Sequence, residues 1–171
     1  MKSVTLKDNQ NGKSVEFPVL ESVLGNDVID ISTLNRELGY FTYDNGFGMS
    51  AGCTSDITYI DGGKGELLYR GYEIEQLATN HNYLEVCYLL LNGELPNKEE
   101  FKTFEEDMRI KRYPNEGIKK IFEAFPNSAH PMAVLSSAVS ALSAFHHQHL
   151  NISTQVEYME MARRIIAKMP T

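Results

Sequence analysis

The stretch Ile57-Thr58-Tyr59-Ile60-Asp61-Gly62-Gly63-Lys64-Gly65-Glu66-Leu67-Leu68-Tyr69-Arg70-Gly71-Tyr72 limits the fold more than any other part of the chain. Two short runs rich in Ile, Tyr and Leu flank a loop of Asp, Gly and Lys, a pattern that predicts a β-hairpin with a glycine-bearing turn. Alternation puts Ile57 and Tyr59 on one face, and Leu67 and Tyr69 on one face of the return strand. Gly62, Gly63 and Gly65 permit positive φ in the turn because no Cβ clashes. They precede a strand and not a helix, which argues against a phosphate-cradling loop.

The hairpin also marks a change of character. Residues 1–71 read as a β-rich region with short runs at Val4-Thr5-Leu6, Ser14-Val15-Glu16-Phe17, Val28-Ile29-Asp30-Ile31 and Tyr40-Phe41-Thr42-Tyr43. Breakers at Asn9 to Gly12, Gly25-Asn26-Asp27 and Asp44-Asn45-Gly46 separate them. From Tyr72 onward, residues 72–171, every periodic stretch is helical. The fold class expected is mainly α with an N-terminal β region: short strands and a β-hairpin, then a helical bundle.

In the helical region, Asn82 is placed to cap a helix with Glu85 at its third position, and Gly93 ends it. Leu84, Cys87, Tyr88 and Leu91 form one stripe, yet Val86, Leu89 and Leu90 make this helix apolar nearly all round, which implies burial on more than one side. Asn97 and Glu100 open the next helix, with Phe101, Phe104 and Met108 inward and Tyr113-Pro114 as its stop. Asn115 starts another, whose inner face is Ile118, Ile121, Phe122 and Phe125, and Pro126-Asn127 ends it. Thr154-Gln155-Val156-Glu157 is a capping-box pattern for the last helix, with a stripe of Tyr158, Ala162, Ile165 and Met169.

The helix expected from Pro131 to Phe145 is unusual in carrying no charged residue. Proline suits its first position. Leu135, Ala138, Val139, Leu142 and Phe145 form one face, and Ser and Ala keep the other sides small. Such a helix belongs in the middle of a helical core. Three or four amphipathic helices of this length do not readily surround it, so an exposed apolar patch of several hundred Å2 is expected, large enough to signal an interface.

Composition excludes several classes. The 171 residues suit one ordinary domain, and 42% apolar residues suffice for a core. Sixteen basic against 23 acidic residues give a net charge of −7 with no basic block, which disfavours nucleic acid and anionic membrane surfaces as partners. Cys53 and Cys87 follow neither disulfide nor metal spacing, the start lacks an apolar leader, and no run of eighteen apolar residues occurs. A reduced, cytoplasmic protein is expected.

Several side chains carry a chemical reading beside a structural one. His146, His147 and His149 cluster closely enough to share a metal, but a solvated helix end suits them better, since a C-terminal dipole favours imidazolium. His130, before Pro131, is placed either as a base at a helix N-terminus or as the helix cap; the cap is preferred. Arg70 has the chemistry to clamp a carboxylate, or it fixes the hairpin to a neighbour, the reading preferred here. Glu73, Glu75 and Glu85 read as solvated charges, not paired acids. Cys53 and Cys87 have no adjacent His or Lys and read as packing residues.

The wording of the hairpin resembles the N-terminal part of the citrate synthases, with Cys53-Thr54 before it and Ile74-Glu75-Gln76-Leu77-Ala78 after it. The likeness continues from Asn82 to Pro96, at His130-Pro131-Met132-Ala133-Val134 and at Ala167-Lys168-Met169-Pro170-Thr171. It is loosest over the first 25 residues or so and over Phe101 to Phe125. The resemblance implies a parent enzyme that condenses acetyl-CoA with oxaloacetate. A carboxylate would take a proton from the acetyl methyl, a neutral histidine would stabilise the enol, and citryl-CoA would then be hydrolysed. The family's two histidines, aspartate and oxaloacetate-gripping arginines lie beyond the position matching Thr171. The resemblance therefore implies no catalytic, cofactor-binding or metal residue here, and an N-terminal piece that is inactive alone.

Its implied partners are the remainder of its own chain and further copies of it, as a dimer or a hexamer built from dimers. The region before Gly46 is similar to that of the larger, hexameric enzymes of Gram-negative bacteria, in which it helps dimers associate. Those enzymes are often inhibited by NADH. Sensitive members resemble Arg-His-Thr where this chain has Ile110-Lys111-Arg112, and Tyr where it has His146; the departures leave NADH inhibition unsupported, although Lys111 and Arg112 retain charge that suits a phosphate. Two alternatives stand beside this reading: a 2-methylcitrate synthase, and a complete small interaction or regulatory module with no catalytic site.

Overall fold

The computed structural model describes residues 2–146 and 153–171. The chain divides into two compact units, Met1–Leu77 and Ala78–Thr171, each described by itself.

The first unit holds two small antiparallel sheets. In one, β1 (Ser3–Lys7) pairs with β2 (Ser14–Leu20), and β2 pairs with β3 (Val28–Ile29). Phe17 on β2 and Leu34 on α1 (Leu34–Leu38) supply its buried apolar residues. The turn between β1 and β2 is tied down by Asp8, which is buried. It accepts from the Gln10 amide at 2.8 Å and from the Tyr40 hydroxyl at 3.1 Å. Gly39 ends α1 in the left-handed region, at φ +76°. The helix α1 went unforeseen because only five residues form it. The run Tyr40 to Tyr43, expected as β-like, is not a strand; Phe41 and Tyr43 are 85% and 91% exposed, so no neighbouring strand satisfies that backbone.

The second sheet contains the expected hairpin, β4 (Thr58–Asp61) against β5 (Glu66–Tyr69), extended by β6 (Tyr72–Glu73). The register pairs Tyr59 with Leu68 and Ile60 with Leu67. Only Gly65 of the three turn glycines takes positive φ, at +75°. The Asp61 carboxylate closes the rest of the turn by accepting from the amides of Gly63 and Lys64 at 3.0 and 3.1 Å. The helix α2 (Ile74–Asn80) follows.

The second unit is helical: α3 (Tyr83–Asn92), α4 (Lys98–Lys111), α5 (Glu116–Glu123), α6 (Pro131–Phe145) and α7 (Gln155–Lys168). Asn82 and Asn97 form reciprocal capping boxes with Glu85 and Glu100, and Gly93 ends α3 at φ +97°. Thr154 completes only half of its expected box. It accepts from the Glu157 amide, but its own hydroxyl donates to the Glu157 carboxylate at 2.8 Å, which leaves that side chain turned away from the Thr154 amide.

The core is small. Cys87, Phe104, Met108 and Ala167 are buried together, with Leu84, Tyr88, Leu91 and Ile166 packed against them. Tyr88 meets Phe104 edge to face, centroids 5.3 Å apart. Leu89, on the other side of α3, is fully buried, as the all-round apolar pattern required. On α7 the inward residues are Ile166 and Ala167, whereas Tyr158, Ile165 and Met169 of the expected stripe are exposed.

Candidate functional site

The expected central helix α6 is sparsely covered. Of its fifteen residues only Ala138 is buried. Leu135, Val139 and Leu142 are half-buried, while Met132 is 61% exposed and Phe145 37%. Leu135, Ala138, Val139 and Leu142, with Ile118 and Phe122 of α5 and Ile165 and Met169 of α7, line an open apolar groove of about 90 Å3. Ile165 and Met169 of the expected α7 stripe therefore face this groove. Gly117 lets Phe145 lie against the start of α5: a Cβ there would meet the ring at 2.9 Å.

Beside the groove, α4 and α7 are joined by charge. Lys111, whose side chain is 12% exposed, pairs with Asp107 one turn back and with Glu160 of α7 at 3.0 Å. Glu160 also binds Arg164 at 2.7 Å. Arg163 lies 4.0 Å from Asp107 and 6.0 Å above the centre of the Phe104 ring. The Lys168 ammonium donates to the Lys111 carbonyl at the end of α4. Partial burial pulls the Lys168 pKa down from its usual value, and the Arg164 and Lys111 cations lower it further, opposed by Glu160.

This network went unrecognised in the sequence, although Asp107–Lys111 and Glu160–Arg164 stand at helical i, i+4 spacing. Spacing gives the pairs within a helix but not the crossing between α4 and α7. Lys111, considered above for a nucleotide phosphate, is engaged by two carboxylates, while Arg112 is exposed at the C-cap.

The remaining candidates take structural positions. His130 caps α6, its Nδ1 accepting from the Met132 amide at 3.2 Å. His146 is the C-cap residue of α6; His147 and His149 lie outside the described residues. Among the described residues no group of three His, Cys, Asp or Glu is placed to hold a metal. Arg70 takes φ +51°, and its amide donates to the Ile57 carbonyl at 2.7 Å, closing the open end of the hairpin. Glu85, read as a solvated charge, is occupied by its capping box and by His81 at 3.5 Å.

Cys87 is buried, and burial raises its thiol pKa against a hydrogen bond with Tyr83. Cys53 is exposed and so is not the packing residue expected; it lies in an irregular stretch with no sheet or helix face to bury it. An open groove of about 590 Å3 in the first unit includes Asp27, Asp30 and Asp44. Each carboxylate there is already engaged, by Lys2, the Ser32 amide, and the Met49 amide with the Ser50 hydroxyl.

Small antiparallel sheets leading into amphipathic helices, with one charge-free helix half covered, define part of a mainly helical domain. Residues 46–171 match the family described as citrate synthase, C-terminal domain, and the chain belongs to that family. It is 48% identical to the citrate synthase of Helicobacter pylori over 170 residues, which is 99% of this chain and 40% of that protein.

Solved structures share the fold. The citrate synthase of Pyrobaculum aerophilum matches with a TM-score of 0.67 at 29% identity, covering 90% of this chain and 36% of that one. That of Thermoplasma acidophilum, determined with carboxymethyl coenzyme A and oxaloacetate, matches with a TM-score of 0.67 over 75% of this chain and 33% of that one. At 24% identity this second likeness speaks to the fold alone. The chain thus spans well under half the length of these relatives.

Proposed function

We propose that these residues form the N-terminal part of a citrate synthase that condenses acetyl-CoA with oxaloacetate to give citrate and CoA in the tricarboxylic acid cycle, in the cytoplasm. The observation that carries this reading is the 48% identity to a citrate synthase across nearly the whole chain. The substrates are those of the whole enzyme, and this part assigns no residue to them. Its contribution is structural: the hairpin, the α3–α4–α7 core and an α6 face suited to further helices of the same chain and then to a second subunit. A homo-oligomer, a dimer or a hexamer of dimers, follows from the same reading.

The test is a thiol-release assay on the natural protein, beside its intact mass, with acetyl-CoA and oxaloacetate and then with propionyl-CoA. Thiol release with acetyl-CoA by a protein of the relatives' length, and none by residues 1–171 alone, is the expected result. Preference for propionyl-CoA would transfer the proposal to 2-methylcitrate synthesis. A natural protein without condensing activity toward either thioester would overturn it.

A further inference from the structure

We infer that Asn45 is a site of spontaneous deamidation and isomerisation, where the Gly46 amide closes on the Asn45 side chain and leaves an isoaspartyl residue in an exposed turn. This modification is independent of the catalytic reading. Three Asn-Gly pairs occur in the chain, at Asn11-Gly12, Asn45-Gly46 and Asn92-Gly93. Such a pair is open to cyclisation because glycine has no Cβ to hinder the approach of its nitrogen. All three glycines take positive φ, at +75°, +91° and +97°, so φ does not separate them. Hydrogen bonding does. The Gly12 amide donates to the Asp8 carbonyl at 2.8 Å, and the Asn11 side-chain oxygen accepts from the Lys13 amide at 2.8 Å. The Gly93 amide donates to the Leu89 carbonyl at 2.8 Å, and the Asn92 side chain donates to the Tyr88 carbonyl at 2.9 Å. Neither the Gly46 amide nor the Asn45 side chain is held in this way among the described residues, and both residues are exposed.

The loop around the pair accounts for the difference. The Asp44 carboxylate accepts from the Met49 amide at 2.8 Å and from the Ser50 hydroxyl at 2.7 Å. These bonds tie the start of the loop to its end and leave Asn45 and Gly46 in the turn between. The reaction needs only water and base. Hydroxide takes the proton of the Gly46 amide, and the nitrogen attacks Asn45 Cγ. The new N–C bond forms, the bond from Cγ to Nδ2 breaks, and Nδ2 keeps the electron pair, gains a proton and leaves as ammonia. Water then opens the cyclic imide at either carbonyl, to aspartate or to isoaspartate. Each product sets a second carboxylate beside Asp44, and isoaspartate also lengthens the main chain within the span that Asp44 closes. At Asn11 and Asn92 the same attack must first break a hydrogen bond of the attacking amide and another of the side chain attacked.

The experiment ages the natural protein at mildly alkaline pH and follows the peptides carrying Asn11, Asn45 and Asn92 by mass spectrometry, which reads the exchange of amide for acid. Methyl transfer by an isoaspartyl methyltransferase reads isoaspartate, and a sample kept unfolded in urea supplies the rates that sequence alone sets. Expected in the folded protein is reaction at Asn45 several-fold faster than at Asn11 and Asn92. The three rates should converge in urea, and N45Q should lose most of the methyl-accepting capacity. Comparable rates at the three sites of the folded protein would overturn the inference, as would an Asn45 that reacts only in urea. A spread in urea as wide as in the folded protein would assign the preference to flanking sequence and overturn the argument from hydrogen bonds. Undiminished methyl acceptance in N45Q would place the isoaspartate elsewhere and overturn it too. If N45Q misfolds, the site-by-site rates of the parent still decide.

Discussion

Phe104 joins three helices, and replacing it should show how much of the helical unit rests on one ring. It is 4% exposed, packs edge to face on Tyr88 of α3 at 89°, and lies beneath Arg163 of α7. In Phe104→Leu the reduced filling of the core costs about 1 kcal/mol. The lost aromatic pair adds about 0.5–1.5 kcal/mol, and the lost guanidinium contact adds about 0.5 kcal/mol at this partly exposed site. The sum is about 2–3 kcal/mol. Urea unfolding followed by far-UV circular dichroism reads it, because α3 to α7 all lie in the second unit. The cycle with Tyr88→Leu should return a coupling of about 1 kcal/mol. A coupling below about 0.3 kcal/mol would refute the claim that the ring pair, and not apolar burial alone, joins α3 to α4.

Three smaller effects follow from local geometry. Asn97→Ala removes the acceptor for the amides of Glu99 and Glu100 and should lower thermal stability by about 1 kcal/mol, seen as a reduced Tm. Native-state alkylation should label the exposed Cys53 and spare Cys87, whose burial raises its thiol pKa; equal rates would mean that α3 opens readily. The Asp61 pKa is lowered chiefly by the Lys64 amide, so its contribution to the hairpin is present above the unfolded value of 3.8 and is lost as pH falls through the lower folded value. A carboxyl titration by NMR should place the midpoint below 3.8, and a midpoint at or above it would contradict the turn geometry.

The parts of the fold legible in the sequence are those fixed by neighbours in the chain. Asn82, Asn97, Asn115 and His130 each cap the helix expected of them, because a cap needs only residues two or three places on. The hairpin was legible for the same reason. What failed depended on distant partners. Tyr40 to Tyr43 has the residues of a strand but no neighbour to pair with, and Cys53 has no surface to enter. The stripe on α7 was legible as one face, but not that its Ile165 and Met169 line an open groove, because periodicity tells which residues share a face and not what the face meets. The Lys111–Glu160 crossing is of the same kind: it joins residues 49 apart.

The open groove on α6 makes one more quantity measurable: the effect of whatever covers it. Phe122 is 47% exposed and lines that groove, so Phe122→Lys in residues 1–171 exchanges one half-solvated side chain for another whose stem still lies along the surface. Its cost there should stay within about 1 kcal/mol, near the range for surface substitutions. In a protein of the relatives' length, helices packed over α5 and α6 would force the ammonium to be buried without a partner, at a cost of several kcal/mol. The comparison needs the same substitution in both chains, with urea midpoints for each and size-exclusion chromatography for the longer one. A large loss confined to the longer protein would show that α6 is covered from within or by a second subunit, and the elution volume would separate the two. Equal small losses in both would mean that the groove stays open to water, and the charge-free sequence of α6 would then need another explanation.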